Sequence, residues 1–193
     1  MRRRLPRAHA ERLLLADDAT EQVGLLLRLR LPWLIVGLMI GTVITFVISR
    51  FEKVLSEQLS LAFFIPIIVY MSDAVGTQTE TIYVRNLSHQ QAKFSIYFIK
   101  ELTLGLVIGA ISGGLVGVVA WVWLGSPSVA ATVALAMWAS ITVAAIFALF
   151  VPTLLHKVAH VDPAVGAGPF TTVLQDLISL LIYFLIAGAI ILG

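Results

Sequence analysis

Cysteine is absent from the 193 residues, and charge is scarce, Lys, Arg, Asp and Glu together making up 12%. The first absence excludes a disulfide framework, a thiolate metal site and a thiol nucleophile. The second excludes an ordinary soluble domain, which carries about 25% charged residues. Several further signatures are missing. There is no His-Glu-x-x-His, no Gly-x-Ser-x-Gly and no phosphate-binding Gly-Lys-Ser/Thr loop, so neither an enzyme nor an ATP-driven pump is expected. Met1 to Arg7 is basic, but Leu13–Leu15 is the only apolar run before Asp17 and Asp18. A secretory signal needs an apolar core of roughly 7–15 residues, so none is read here.

What is present is hydrocarbon: 59% of residues are hydrophobic, and the mean hydropathy is +0.98. A soluble chain of this size has no interior large enough for that surface, so lipid is its solvent. Five apolar stretches reach the roughly 20 residues a bilayer crossing needs. They run from Leu31 to Ser49, from Leu59 past Pro66 to about Val84, from Leu102 to Leu124, from Val129 through Pro152 to about Leu155, and from Pro169 to Leu192. Pro66 and Pro152, inside two of these spans, are expected to kink helices and free carbonyls. In the third stretch Gly105, Gly109, Gly113 and Gly117 form a repeated small-xxx-small face, which lets helix backbones approach closely. Trp33, Trp121 and Trp123 lie near span ends, as aromatic-belt residues do.

The net charge of +2 invites a nucleic-acid reading, but the distribution of basic residues explains it better. Arg2, Arg3, Arg4, Arg7, Arg12, Arg28 and Arg30 precede the first span, Arg85, Lys93 and Lys100 flank the second connection, and Lys157 lies between the last two spans. Placing the N-terminus inside leaves only Arg50 and Lys53 outside, as the positive-inside rule expects. Residues 1–30 then form a cytoplasmic basic segment. Within it Glu11 to Arg30 alternates leucines with charges, in the manner of an interfacial amphipathic helix or a solvated basic tail. Residues 31–193 form the transmembrane domain. The fold class is an all-α integral membrane protein with five transmembrane helices per subunit, N-in and C-out.

Carboxylates inside the spans carry the chemistry. Asp73 and Glu80 lie in the second span and Asp176 in the fifth. An acid near the bilayer centre costs at least about 2.5–3.5 kcal/mol on insertion scales, and such groups mark ion or proton pathways. Asp73, Gly76 or Thr77, and Glu80 share one helical face, and Thr172, Asp176, Ser179 and Tyr183 make a similar stripe. At 1.5 Å per residue Glu80 lies about 8 Å and Asp176 about 10 Å from the inner face, with Asp73 nearer the middle. Carboxylates, hydroxyls and the Gln78 amide, without sulfur or histidine, suit a hard cation such as Mg²⁺, which surrenders its water reluctantly. Rings of acids are a cation-selectivity device. Five helices are few for a complete pore, so a homodimer with Asp176 of both subunits on a shared axis is expected. Each acid also has a structural reading: Asp176 hydrogen-bonded by Gln175 and Thr172, Asp73 satisfied by Ser72 and Thr77, Glu80 paired with Arg85 near the interface. His156 and His160, with Asp162 nearby, fall short of a zinc ligand set and read as solvated interfacial residues.

The chain resembles the transmembrane domain of the MgtE family of magnesium transporters over roughly Arg30 to Leu192. Leu31-Pro32-Trp33-Leu34 is similar to the start of the family's first transmembrane helix. Phe64-Ile65-Pro66, with Gly76-Thr77-Gln78-Thr79 and Val84-Arg85, resembles its second. The most specific segment is Asp162 to Pro169 followed by Thr171-Thr172, Asp176 and Leu181-Ile182-Tyr183-Phe184, which resembles its last helix and the preceding turn. The resemblance implies a dimeric, magnesium-selective channel in which the acid of the last helix, here Asp176, faces the pore and binds the hydrated ion, with Thr172 one turn earlier. Two departures stand out. Ser72-Asp73-Ala74 replaces the family's Gly-Gly-Asn, losing an amide and placing a carboxylate one position earlier, about 100° around the helix. The family's cytoplasmic sensing domains have no counterpart, so gating by them is not expected.

The expected function is therefore channel-like magnesium transport across the cytoplasmic (inner) cell membrane. Asp176, Asp73, Glu80, Thr172 and Gln78 are the expected metal-contacting residues, and no cofactor is expected beyond the transported ion. The expected partners are Mg²⁺ or related divalent cations, the lipid bilayer and a second copy of the chain. The alternative is a sodium- or proton-coupled exchanger, as in the family's animal relatives, for which additional acids would be useful. A non-conducting membrane partner is disfavoured by the cost of three embedded acids.

Overall fold

The computed structural model describes residues 23–88, 94–154 and 163–193, all helical or in short turns. The order is α1 (Val23–Ser49), α2 (Glu52–Glu57), a 3-10 segment (Leu59–Phe64), α3 (Ile65–Ser88), α4 (Phe94–Leu124), α5 (Pro127–Leu154) and α6 (Pro163–Ile191). Most of the expected interfacial segment, together with His156, His160 and Asp162, lies outside the described residues.

Four helical stretches among the described residues are long and apolar enough to cross a membrane: Leu59–Asn86, Phe94–Leu124, Pro127–Leu154 and Thr171–Ile191. A further apolar helix, Leu34–Ser49, is shorter. The second stretch expected from the sequence thus emerges as the 3-10 segment plus α3. Pro66 is the second residue of α3, not a kink within it. Proline is tolerated in a first turn because the amide it lacks would have had no intrahelical partner there. Pro152 does fall inside a helix, two residues before the end of α5.

α5 is the central helix, packing against α3, α4 and α6, and it carries the largest share of the apolar core, including Val129, Val133, Met137, Ile141, Ala145 and Leu149. The α4–α5 hairpin turns on Gly125, whose φ of 64° lies in the left-handed region. Pro127 then opens α5, and the Ser126 hydroxyl accepts from the Val129 amide as an N-cap does, at 3.4 Å.

The glycine face of α4 meets α5 as its spacing requires. A methyl carbon placed on Gly109 would lie 2.7 Å from the Trp138 carbonyl oxygen, and one on Gly105 would lie 2.9 Å from the Thr142 Cα. Backbone therefore rests on backbone along this pair. On the opposite side of α4, Val107, Ile111, Leu115, Val118 and Val122 are all exposed, as a lipid-facing surface demands.

α1 contacts the bundle through α6, and the Phe51 and Phe184 rings stack with centroids 5.2 Å apart. The last anchor is polar: the Tyr183 hydroxyl donates to the Leu61 carbonyl at 2.6 Å. Leu61 sits in the 3-10 segment, where the α-helical ladder is interrupted. Both residues are fully buried, so Tyr183→Phe removes a buried hydrogen bond and leaves the carbonyl short of its side-chain partner. A loss of about 1–3 kcal/mol in stability is expected, measurable as a lower thermal midpoint of the purified protein in detergent.

Candidate ion-pathway site

α3 and α6 run antiparallel and face each other along a polar seam. Among the described residues of α6 the buried polar positions are Thr171, Gln175, Ser179 and Tyr183, each one turn apart and each at most 1% exposed. On α3 they are Ser72, Thr79, Glu80 and Tyr83, with Gly76, also buried, between them. Two contacts set the register. The Thr171 hydroxyl donates to Glu80 Oε1 at 3.3 Å, and Gly76 lies directly under the Gln175 amide. This register puts Ser179 at the level of Ser72.

Of the sequence-predicted residues, Asp73, Thr172 and Asp176 are half-buried and Glu80 is buried. Asp176 sits at the edge of the buried α6 stripe, not within it, one residue on from Gln175. Asp73 and Glu80 lie on α3, which packs against α6, and Asp176 borders the α6 stripe that faces them. Gln78 and Thr77 are exposed. Gln78 lies about 140° around α3 from Asp73, so a single protomer does not bring it to the acids. No group of three or more His, Asp or Glu among the described residues converges closely enough to grip a metal ion. The acids share a seam without forming a chelate.

Two of the contacts expected on a structural reading of these acids are missing. Ser72 does not satisfy Asp73: the Ser72 hydroxyl and Asp73 Oδ1 are both buried without a hydrogen-bond partner. The Gln175 amide does not hydrogen-bond Asp176, since neither its nitrogen nor its oxygen has a partner. The hydroxyl found on Glu80 is that of Thr171.

Two residues escaped the sequence reading. Glu101 is buried in α4, its Oε2 accepting from the Thr79 hydroxyl at 2.7 Å. Hydropathy placed it outside the third span, beside Lys100, whereas α4 already begins at Phe94. One signal was available: stepping the glycine face back one turn from Gly105 lands on Glu101. The other residue is Gln175, considered only as a partner for Asp176. A further contact, between the Tyr83 hydroxyl and Thr153 Oγ1 at 2.8 Å, ties α3 to α5 below this level.

Among the described residues, several membrane-length apolar helices with acids on an internal polar seam define a helical, multi-pass membrane protein. The chain belongs to the MgtE family, described as "divalent cation transporter", which it matches over residues 65–186. It is similar to "Magnesium transporter MgtE" of Bacillus subtilis, at 37% identity over 165 residues that cover 84% of this chain and 36% of the relative. The protein of the same name from Enterococcus faecalis is 39% identical over 162 residues, 82% of this chain and 36% of the relative. That from Thermus thermophilus is 30% identical over 162 residues, 82% of this chain and 35% of the relative. The chain thus spans little more than a third of the length of these relatives.

Proposed function

We propose that this chain carries divalent cations, magnesium first among them, across the cytoplasmic (inner) cell membrane by a channel-like route. In this reading it crosses the membrane five times with the N-terminus inside and the C-terminus outside. Two copies pair so that Asp176 of each faces a shared aqueous axis. The relatives' printed activity supports the cargo. The observation that carries the route is the position of Asp176, a half-buried acid at the open edge of α6 that feels the charge of Asp73 on α3.

The dispersed arrangement of the acids suits this cargo. Mg²⁺ prefers to keep several waters, so carboxylates that touch its hydration shell serve better than a dehydrating cage. Asp176 and Thr172 supply the contact on α6, and Asp73 and Glu80 add negative potential from α3. Gln78 joins only through the second copy, given its outward position. Water filling the path would also satisfy the polar atoms of the seam that lack protein partners.

Exchange of the divalent cation against sodium or protons is the second reading. It is favoured by Glu80 and Glu101, two further buried acids that each accept a hydrogen bond from a hydroxyl. Purified protein in liposomes separates the two. Imposing an inside-negative voltage with no sodium or pH gradient is expected to drive Mg²⁺ uptake, read by an entrapped indicator dye. Uptake that occurs only with an opposing sodium or proton gradient establishes the exchanger instead. No flux under either condition removes both.

A further inference from the structure

Four polar groups along the α3–α6 seam have no hydrogen-bond partner: the Ser72 and Ser179 hydroxyls, Asp73 Oδ1 and the Gln175 amide. The register that sets Thr171 against Glu80 and Gln175 against Gly76 brings these groups to adjoining levels of one stripe. Ser140 of α5 closes the Ser179 level, its hydroxyl donating to the Ser179 carbonyl at 3.3 Å. Ser72, Gln175 and Ser179 are each at most 1% exposed, so bulk water does not serve them. Elsewhere a hydroxyl without another partner folds back on its own helix. Thr42, Thr103, Thr132 and Thr142 each donate to the carbonyl four residues earlier. A helical serine can make the same bond. Ser72 and Ser179 forgo it, which leaves both oxygens free for a ligand held in the seam.

We propose that Ser72, Asp73, Gln175 and Ser179 form a site for one dehydrated monovalent cation of sodium's size, inside each protomer and apart from Asp176. The donors are one carboxylate and three neutral oxygens, so a single positive charge makes the set neutral. A divalent ion would leave net charge buried in the seam. Mg²⁺ also holds its water too firmly to enter so closed a place, and calcium sites gather several carboxylates. Water alone fits less well, because its two hydrogens face four acceptor oxygens and leave the charge of Asp73 in place. A water bound to the same ion can accept from Gln175 Nε2. The end of Gln175 is free to swing onto an ion, since it makes no hydrogen bond and lies against Gly76, which has no side chain to cover it. Asp73 is half-buried, and its open side gives the ion an entrance. The site supplies the exchange reading with a counter-ion, and only its coupling to Mg²⁺ rests on that reading.

Binding of radioactive Na⁺ to the purified protein in detergent, with choline holding the ionic strength constant, is the test. Saturable binding is expected, displaced by unlabelled Na⁺ at least about tenfold more readily than by Mg²⁺ or Ca²⁺. Ser72→Ala and Ser179→Ala should each weaken it at least about tenfold, and Asp73→Asn should abolish it. The alanine variants are expected to fold, because each removes a buried hydroxyl that has no protein partner. Thermal unfolding gives a second readout. Na⁺ should raise the midpoint of the natural protein above its value in choline, by mass action, and should not raise that of Ser72→Ala/Ser179→Ala. No saturable Na⁺ binding, binding that both alanines leave unchanged, or equal displacement by Mg²⁺ overturns the proposal. The outcomes for transport are separate. Protein that takes up Mg²⁺ under voltage alone yet binds no Na⁺ loses the site and keeps the channel. Na⁺ bound at these residues beside voltage-driven Mg²⁺ uptake keeps the site and removes the coupling, and bound Na⁺ with no Mg²⁺ flux of any kind removes only the transport reading.

Discussion

Asp176→Asn is expected to lower Mg²⁺ uptake into liposomes by at least about 100-fold, with the folded protein recovered in normal yield. The substitution keeps the size of the side chain and removes only its charge. For a doubly charged ion about 5 Å from a carboxylate, Coulomb's law gives about 6–7 kcal/mol at an effective dielectric of 20. Water in the path screens much of this, and about 2.7 kcal/mol surviving corresponds to the 100-fold loss. Asp73→Asn should do less to the rate, because Asp73 acts on Asp176 from the neighbouring helix and has one carboxyl oxygen buried in the seam. Unchanged flux and unchanged preference for Mg²⁺ over Ca²⁺ in Asp176→Asn would remove the principal site of the proposed function.

The largest effect on folding is expected at Gly113. A methyl carbon there would collide with the carbonyl oxygen of Ala134 and lie 3.3 Å from the backbone nitrogen of Trp138. These are backbone atoms of the central helix and cannot rotate away, so Gly113→Val must pry α4 from α5. Overpacking typically costs about 1–3 kcal/mol, and a clash with main chain belongs at or beyond the top of that range. Its neighbour is the internal control. A methyl carbon on Gly114 meets nothing within 4 Å, so Gly114→Val should shift stability by less than about 1 kcal/mol. Size-exclusion recovery and thermal unfolding in detergent read both variants. Equal behaviour of the pair would mean that α4 and α5 do not pack as described.

Much of this was legible because lipid imposes simple rules. Apolar stretches of membrane length had to be helices, and glycines four apart had to face another helix at close range. The three acids stood out because such groups are costly within a span. Glu101 hid because hydropathy cannot distinguish an acid at the end of a helix from one inside it. α4 starts seven residues before Glu101, and the neighbouring Lys100 made that region look interfacial. Pro66 misled for a related reason. A continuous apolar run gives no sign that its first six residues, Leu59–Phe64, wind as a 3-10 segment.

The sequence by itself determined that this chain is a helical membrane protein with acids at membrane depth, because composition and spacing decide what lipid accepts. Only the tertiary structure decided how α6 is turned. Its sequence offers two overlapping polar stripes, one through Thr172 and Asp176 and one through Thr171 and Gln175, and helical periodicity permits either to face inward. The choice was made by the partners on α3, a glutamate within reach of Thr171 and a glycine small enough to seat Gln175. Those contacts bury one stripe and leave Asp176 at the edge, and they join residues some hundred positions apart, a separation that no local pattern encodes.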